Sequence, residues 1–126
     1  MKQQSPHWLE QLPEAFRTYC DGRELEEVEC IVPDLAAMSR GKAMPLKKFS
    51  PSQEIYLPIS IFYQTITGQD VAMDIANQWA ESDVVLKPDM ATAKAAPWAQ
   101  EPRLQIIHDM FDHRGKPIRV APRNVL

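Results

Sequence analysis

Glycine is scarce in this chain: four residues in 126, at positions 22, 41, 68 and 115. A loop that cradles phosphate needs several glycines in one short run, so that backbone N–H groups can converge on the anion, and these four are scattered. Cysteine is scarcer still, and Cys20 and Cys30 fall on different predicted elements without any Cys-x-x-Cys pair. Two such thiols make no disulfide framework and are expected to stay free. No apolar stretch approaches the roughly 20 residues that span a bilayer. The opening MKQQSPHWLEQL has no apolar core after its lysine, so it does not read as a secretory signal. The longest cationic run is Lys47-Lys48 and the formal net charge is −3. Nothing basic enough to condense on nucleic acid or an anionic membrane is present. The expectation is a cytoplasmic protein with neither kind of partner. His-Glu-x-x-His and Gly-x-Ser-x-Gly are also missing, so no zinc-hydrolase or serine-elbow site can be drawn.

What the chain does contain is ordinary for one globular domain: 44% hydrophobic and 25% charged residues. Proline is plentiful, at eleven residues. Proline locks φ and donates no hydrogen bond, so it punctuates elements and predicts short strands and loops rather than long helices. Leu12, Phe16 and Tyr19 fall at i, i+4, i+7, which predicts a helix over 13–20, with Pro13 in its first turn and Asp21-Gly22 as its stop. Val28, Cys30 and Val32 alternate as in a half-buried strand. A turn at 34–37 then returns the chain as a second strand over 38–46, with Asp34 hydrogen-bonding its own backbone. Residues 47–58 read as loop with at most one helical turn. Residues 59–66 are apolar, 70–82 read as an ordered loop in preference to a helix over 71–80, and 84–86 form a short strand between Asp83 and Asp89. Residues 91–102 read as a loop pinned to the core by Trp98. Trp8 and Trp79 are read as anchors too.

The clearest element is 104–111, apolar on both faces apart from His108 and Asp109, as suits an interior strand. Asp112-His113-Arg114-Gly115 follows as a hairpin turn, with 116–120 as the returning strand. Pro122 predicts a helix that begins where the chain stops, as expected of an excised domain. The sum is an α+β domain: a small mixed sheet packed on one or two helices. His108, Asp109, Asp112 and His113 form the densest ligand-type cluster. Neighbours on a strand point to opposite faces, so His108 and Asp109 cannot chelate one ion together.

Six segments, in order, resemble the glutamine synthetase family. Glu81-Ser82-Asp83-Val84-Val85-Leu86-Lys87-Pro88-Asp89 is similar to its "E-S-D-hydrophobic-hydrophobic-L-x-P-D" stretch, and Ala96-Pro97-Trp98 to the "x-P-W" that follows. The segments 104–110 and Ala121-Pro122-Arg123-Asn124-Val125-Leu126 resemble the next strand and the "D/A-P-R-x-x-L" that opens the linker into the catalytic domain. Pro33-Asp34-Leu35 with Arg40-Gly41-Lys42, and Ser60-Ile61-Phe62 with Ile66-Thr67-Gly68, resemble the γ-glutamylpolyamine synthetase branch.

The resemblance implies a β-grasp-like N-terminal domain, 1–126. About 1–22 would be a helical extension and 121–126 the start of a linker to an absent catalytic domain. It implies an ATP-dependent ligase that joins a glutamate γ-carboxylate to ammonia or an amine. ATP and Mg²⁺ or Mn²⁺ would be held by the larger domain and none by this one. The implied partners are the catalytic domains of the same and adjacent subunits of a ring-shaped homo-oligomer. The implied contribution to the neighbour's amine site is Thr65, Thr67, Gly68 and Asp83. The family's loop aspartate, which attracts ammonium, falls on Thr65. Threonine carries no charge for a cation, which points to a larger amine. Two other readings stay open: a standalone β-grasp interaction module, and an enzyme with an unrecognised site.

Overall fold

The computed structural model describes residues 7–20, 22–69, 82–119 and 121–125. The sequence-based expectations for 70–81, with Trp79 and Glu81 among them, lie outside the described residues, as do Asp21, Val120 and Leu126. Six strands are described: β1 (Glu27–Pro33), β2 (Ser39–Pro45), β3 (Ile55–Pro58), β4 (Asp83–Pro88), β5 (Lys94–Ala95) and β6 (Arg103–Phe111). Among the described residues one α-helix, α1 (Glu14–Cys20), joins several short 3-10 turns. The architecture is the expected α+β, β-grasp-like mixed sheet.

The sheet order is β2-β1-β6-β4-β3, with β5 also on β6. β1 and β6 run parallel, Val28 opposite Leu104 and Cys30 opposite Ile106, while the other ladders are antiparallel. One side chain bridges the outer strands: Lys42 Nζ on β2 donates to the Tyr56 carbonyl on β3 at 2.9 Å.

Alternation sets the core. Val28, Cys30 and Val32 of β1 and Leu104, Ile106, His108 and Met110 of β6 are all 0% exposed. Each large apolar side chain so buried contributes about 1.5–3 kcal/mol relative to exposure. Leu12, Phe16, Phe49, Ile59 and Phe62 join that core. Leu12 and Phe16 lie on the predicted helical face, and Tyr19 Oη beyond them donates to the Ala96 carbonyl at 2.7 Å. Both cysteines are free, Cys30 fully buried, its thiol pushed up to about 11 by burial with Lys42 opposing.

Four expectations need correction. Residues 55–58 are strand, not loop: Ile55 and Leu57 alternate inward, and Pro58 is tolerated because β3 ends the strand order. Of the strand expected over 116–120, the described residues 116–119 do not form one. A single bridge joins Phe111 to Pro117, which has no N–H for a ladder, and Ala121 N already turns back to the Ile118 carbonyl at 3.4 Å. Trp98 is 71% exposed and pins nothing; Ala96 and Pro102 are the buried residues of that loop. Finally, the second face of β6 is mixed, not apolar. Beside Ile107 and Phe111 it carries Arg103, Gln105 and Asp109, and Arg103 pairs with Glu27 and Glu29 on β1 at 2.9 Å each.

Candidate functional site

The topology brings the predicted residues to one end of the sheet. β1 and β6 are parallel, so the turn after Pro33 and the turn after Phe111 emerge together. β4 runs against β6 with Val85 opposite Phe111, which sets Asp83, at the start of β4, at that same end. β3 runs against β4 with Pro58 opposite Asp83, and the 3-10 turn Ile59–Tyr63 leads from there to Thr65. Asp34, Arg40, the 65–69 turn, Asp83 and the 112–115 turn therefore share one rim. The stacking of Tyr56 on His113, centroids 6.2 Å apart, closes that rim on one side.

The 65–69 turn is tightly bonded. Thr65 N donates to the Gln69 carbonyl and Gly68 N to the Thr65 carbonyl, each at 2.9 Å. The Thr65 and Thr67 hydroxyls are 2.9 Å apart, and Gln69 N donates to Thr65 Oγ1 at 3.2 Å. Gly68 has φ +81°, a left-handed conformation that a side chain strains, which is why glycine stands there. Thr65, Thr67 and Ile66 are exposed, Ile66 at 68%. Asp83 is exposed too, and its carboxylate takes no hydrogen bond or ion pair among the described residues.

Beneath the rim lies a connection that sequence reasoning placed only in part. Asp34 is 3% exposed. Its Oδ1 accepts from Ala36 N and Met38 N at 2.9 Å each, the expected turn, and its Oδ2 accepts from Arg40 Nε at 2.8 Å. Burial pushes the Asp34 carboxyl up, but the Arg40 guanidinium and the two N–H groups outweigh it and hold it below the usual carboxylate range. Arg40 Nη2 goes on to donate to the Thr65 carbonyl at 3.2 Å. The "R-G-K" pattern marked Arg40, but nothing local says that its side chain crosses to residue 65.

The remaining candidates are structural. Asp89 caps the 3-10 turn Met90–Thr92 through Ala91 N at 3.2 Å. Arg123 ties Asp89 and Asp109 together at 2.6 and 2.8 Å. Asp112 Oδ1 accepts from Arg114 N and Lys116 N, as its turn requires. His108 points into the core and Asp109 away from it, and no group of three or more acidic, His or Cys residues able to hold a metal occurs among the described residues. No described helix is long and apolar enough to cross a membrane.

Fold and rim together define a β-grasp-like domain whose candidate residues 34, 40, 65–69 and 83 lie at one sheet end. Solved structures with that fold include a glutamine synthase homolog and a glutamine synthetase. A novel glutamine synthase homolog superposes with TM-score 0.69 at 17% identity, covering 82% of this chain and 25% of its own. Glutamine synthetase of Plasmodium falciparum gives 0.60 at 19% identity over 89% of this chain and 20% of its own. A GmaS/ADP complex gives 0.62 at 16% identity over 86% and 23%. In sequence, the chain is 28% identical to the lengsin of Rattus norvegicus over 104 residues, 80% of this chain and 18% of that protein. It is 29% identical to the lengsin of Homo sapiens over the same length, 20% of that protein. The chain thus spans about a fifth of the curated relatives it matches. No protein-family model matches it.

Proposed function

We propose that this chain is the N-terminal domain of a glutamine-synthetase-like, ATP-dependent ligase, and that its 65–69 turn and Asp83 line the amine side of a site completed by an adjacent subunit. The observation that carries the reading is the fit of scale and order. More than four-fifths of the chain superposes on only a quarter or less of a glutamine synthetase homologue. The motif order along the chain supports it.

In this reading the domain catalyses nothing by itself. A larger domain supplies ATP and Mg²⁺ or Mn²⁺, which activate the glutamate γ-carboxylate, and an amine attacks it. Subunits assemble as a homo-oligomeric ring in the cytoplasm. The rim's part is to receive the amine. Thr65 offers no charge where ammonium would need one, while the exposed carboxylate of Asp83 suits a longer, cationic amine such as a polyamine. The test is to read the coding frame past Leu126 and to assay the longer product with ATP, glutamate and either ammonium or polyamines. Amine-dependent phosphate release that favours polyamines is expected. Efficient use of ammonium would remove the substrate assignment, and a stop codon after Leu126 would remove the ligase reading.

A further inference from the structure

Arg40 spans two turns that lie 25 residues apart in sequence. It differs from an ordinary surface ion pair in how it is held. The Asp34 side chain is only 2% exposed and that of Arg40 15%. With Oδ1 fixed by Ala36 N and Met38 N, the carboxylate cannot swing to follow a mobile partner; the arginine comes to it. The guanidinium is planar and rigid, so anchoring Nε also sets the position of Nη2. What Nη2 meets is the node of the neighbouring turn. Thr65 uses its N–H on Gln69, its hydroxyl on Thr67 and on Gln69 N, and its carbonyl on Gly68 N and on Arg40.

We propose that Arg40 is a positioning residue: fixed by the buried Asp34 carboxylate, it locks the 65–69 turn to the β1–β2 turn, so that the two form one rigid rim. Thr65 is the node through which that hold passes, not a ligand group. Thr67 and Asp83 remain among the rim's exposed polar groups. The importance of this lock for an amine rests on the ligase reading above; the mechanical coupling does not.

Amide hydrogen exchange of the 126-residue chain, followed by NMR in wild type, R40K and R40Q, tests it. In R40Q the amides of Thr65, Gly68 and Gln69 are expected to exchange about tenfold faster or more, while Cys30 and Ile106 in the β1–β6 ladder keep wild-type protection. R40K keeps the charge opposite Asp34 but lacks the fork that reaches two acceptors. Ala36 and Met38 should therefore stay protected in R40K while Gly68 and Gln69 loosen. That split is one a merely stabilising ion pair would not produce. Unchanged exchange at Gly68 and Gln69 in R40K overturns the proposal. So does a loss of protection spread evenly over the chain. If R40Q does not fold, R40K alone decides. Loosening of the turn in R40K together with no ligase activity in the wild-type longer product would leave the coupling standing and remove only the functional reading.

Discussion

Acid should destabilise this domain through one histidine. His108 is 0% exposed on the inward face of β6, its ring edge-on to Phe49 with centroids 6.4 Å apart. His108 Nδ1 lies 2.9 Å from the Ile106 carbonyl. A carbonyl only accepts, so Nδ1 carries the proton in the neutral ring, and Nε2 is left as a buried acceptor without a partner among the described residues. Protonation would place a charge and a second N–H among apolar side chains. Burial accordingly pulls the imidazole below its ordinary value, with the Ile106 hydrogen bond and the nearby Asp109 charge opposing. In the unfolded chain His108 titrates near its reference value of about 6.5. Below that pH the unfolded state therefore binds more protons than the folded one, and stability falls with falling pH until the folded group itself titrates. The slope is at most about 1.4 kcal/mol per pH unit, which integrates to no more than about 2 kcal/mol lost at pH 5. His108→Leu removes the titration and the hydrogen bond, for a cost of about 1 kcal/mol at pH 8. Urea unfolding followed by tryptophan fluorescence at pH 8, 6.5 and 5 should show wild type losing stability toward pH 5 and the leucine variant holding nearly level. A flat wild-type profile, or an equal slope in both proteins, would refute the assignment of a neutral buried ring.

Three further outcomes are expected. A Cβ added at Gly41 would lie 2.0 Å from the Cys30 carbonyl oxygen on the neighbouring strand, so Gly41→Ala should cost about 3 kcal/mol or more in urea unfolding; a loss below about 1 kcal/mol would mean the two strands move apart easily. Arg123→Ala breaks the contacts to Asp89 and Asp109, but all three side chains are 31–33% exposed, so solvent screening holds the loss to about 1 kcal/mol, shrinking in 1 M salt. Trp98→Ala should change stability by less than about 0.5 kcal/mol, since the ring is 71% exposed; a large loss in a thermal melt would restore the anchoring role that the fold denies it.

Periodicity and turn chemistry made β1, β2, β4, β6 and α1 legible in the sequence, because each rests on information within a few residues. Val28, Cys30 and Val32 alternate, Leu12 and Phe16 recur at helical spacing, and Asp34 and Asp112 bond backbone groups two and four residues on. β3 was harder to see, since its four residues include only Ile55 and Leu57 as inward positions, bounded by Pro58. Trp98 misled for the opposite reason: its size suggests burial, yet the neighbouring Ala96 and Pro102 already fill the space beneath the loop. Of the rim, the turn residues Thr65, Thr67 and Gly68 were visible through family resemblance. The Arg40–Thr65 contact was not, because a pairing across 25 residues leaves no local pattern.

The same physics explains why the candidate chemistry sits on the rim and nowhere else among the described residues. One face of the sheet is committed to the core. Its single buried polar side chain on β6, His108, turns Nδ1 to its own strand's backbone and presents no group to solvent. On the other face, Arg103 is taken by Glu27 and Glu29, Gln105 by Glu29, and Asp109 by Arg123. Polar groups already paired in this way have little left to offer a ligand without a comparable loss. The rim is different: Asp83 is exposed and its carboxylate has no partner among the described residues, and Ile66 and Leu35 stand exposed at 68% each. Turns with such exposure lose their order easily unless something outside them holds them. The buried Asp34 carboxylate, passing its hold through Arg40 to Thr65, supplies that restraint from within the sheet. A surface built this way can meet a second molecule without first ordering itself, which lowers the entropic cost of the encounter.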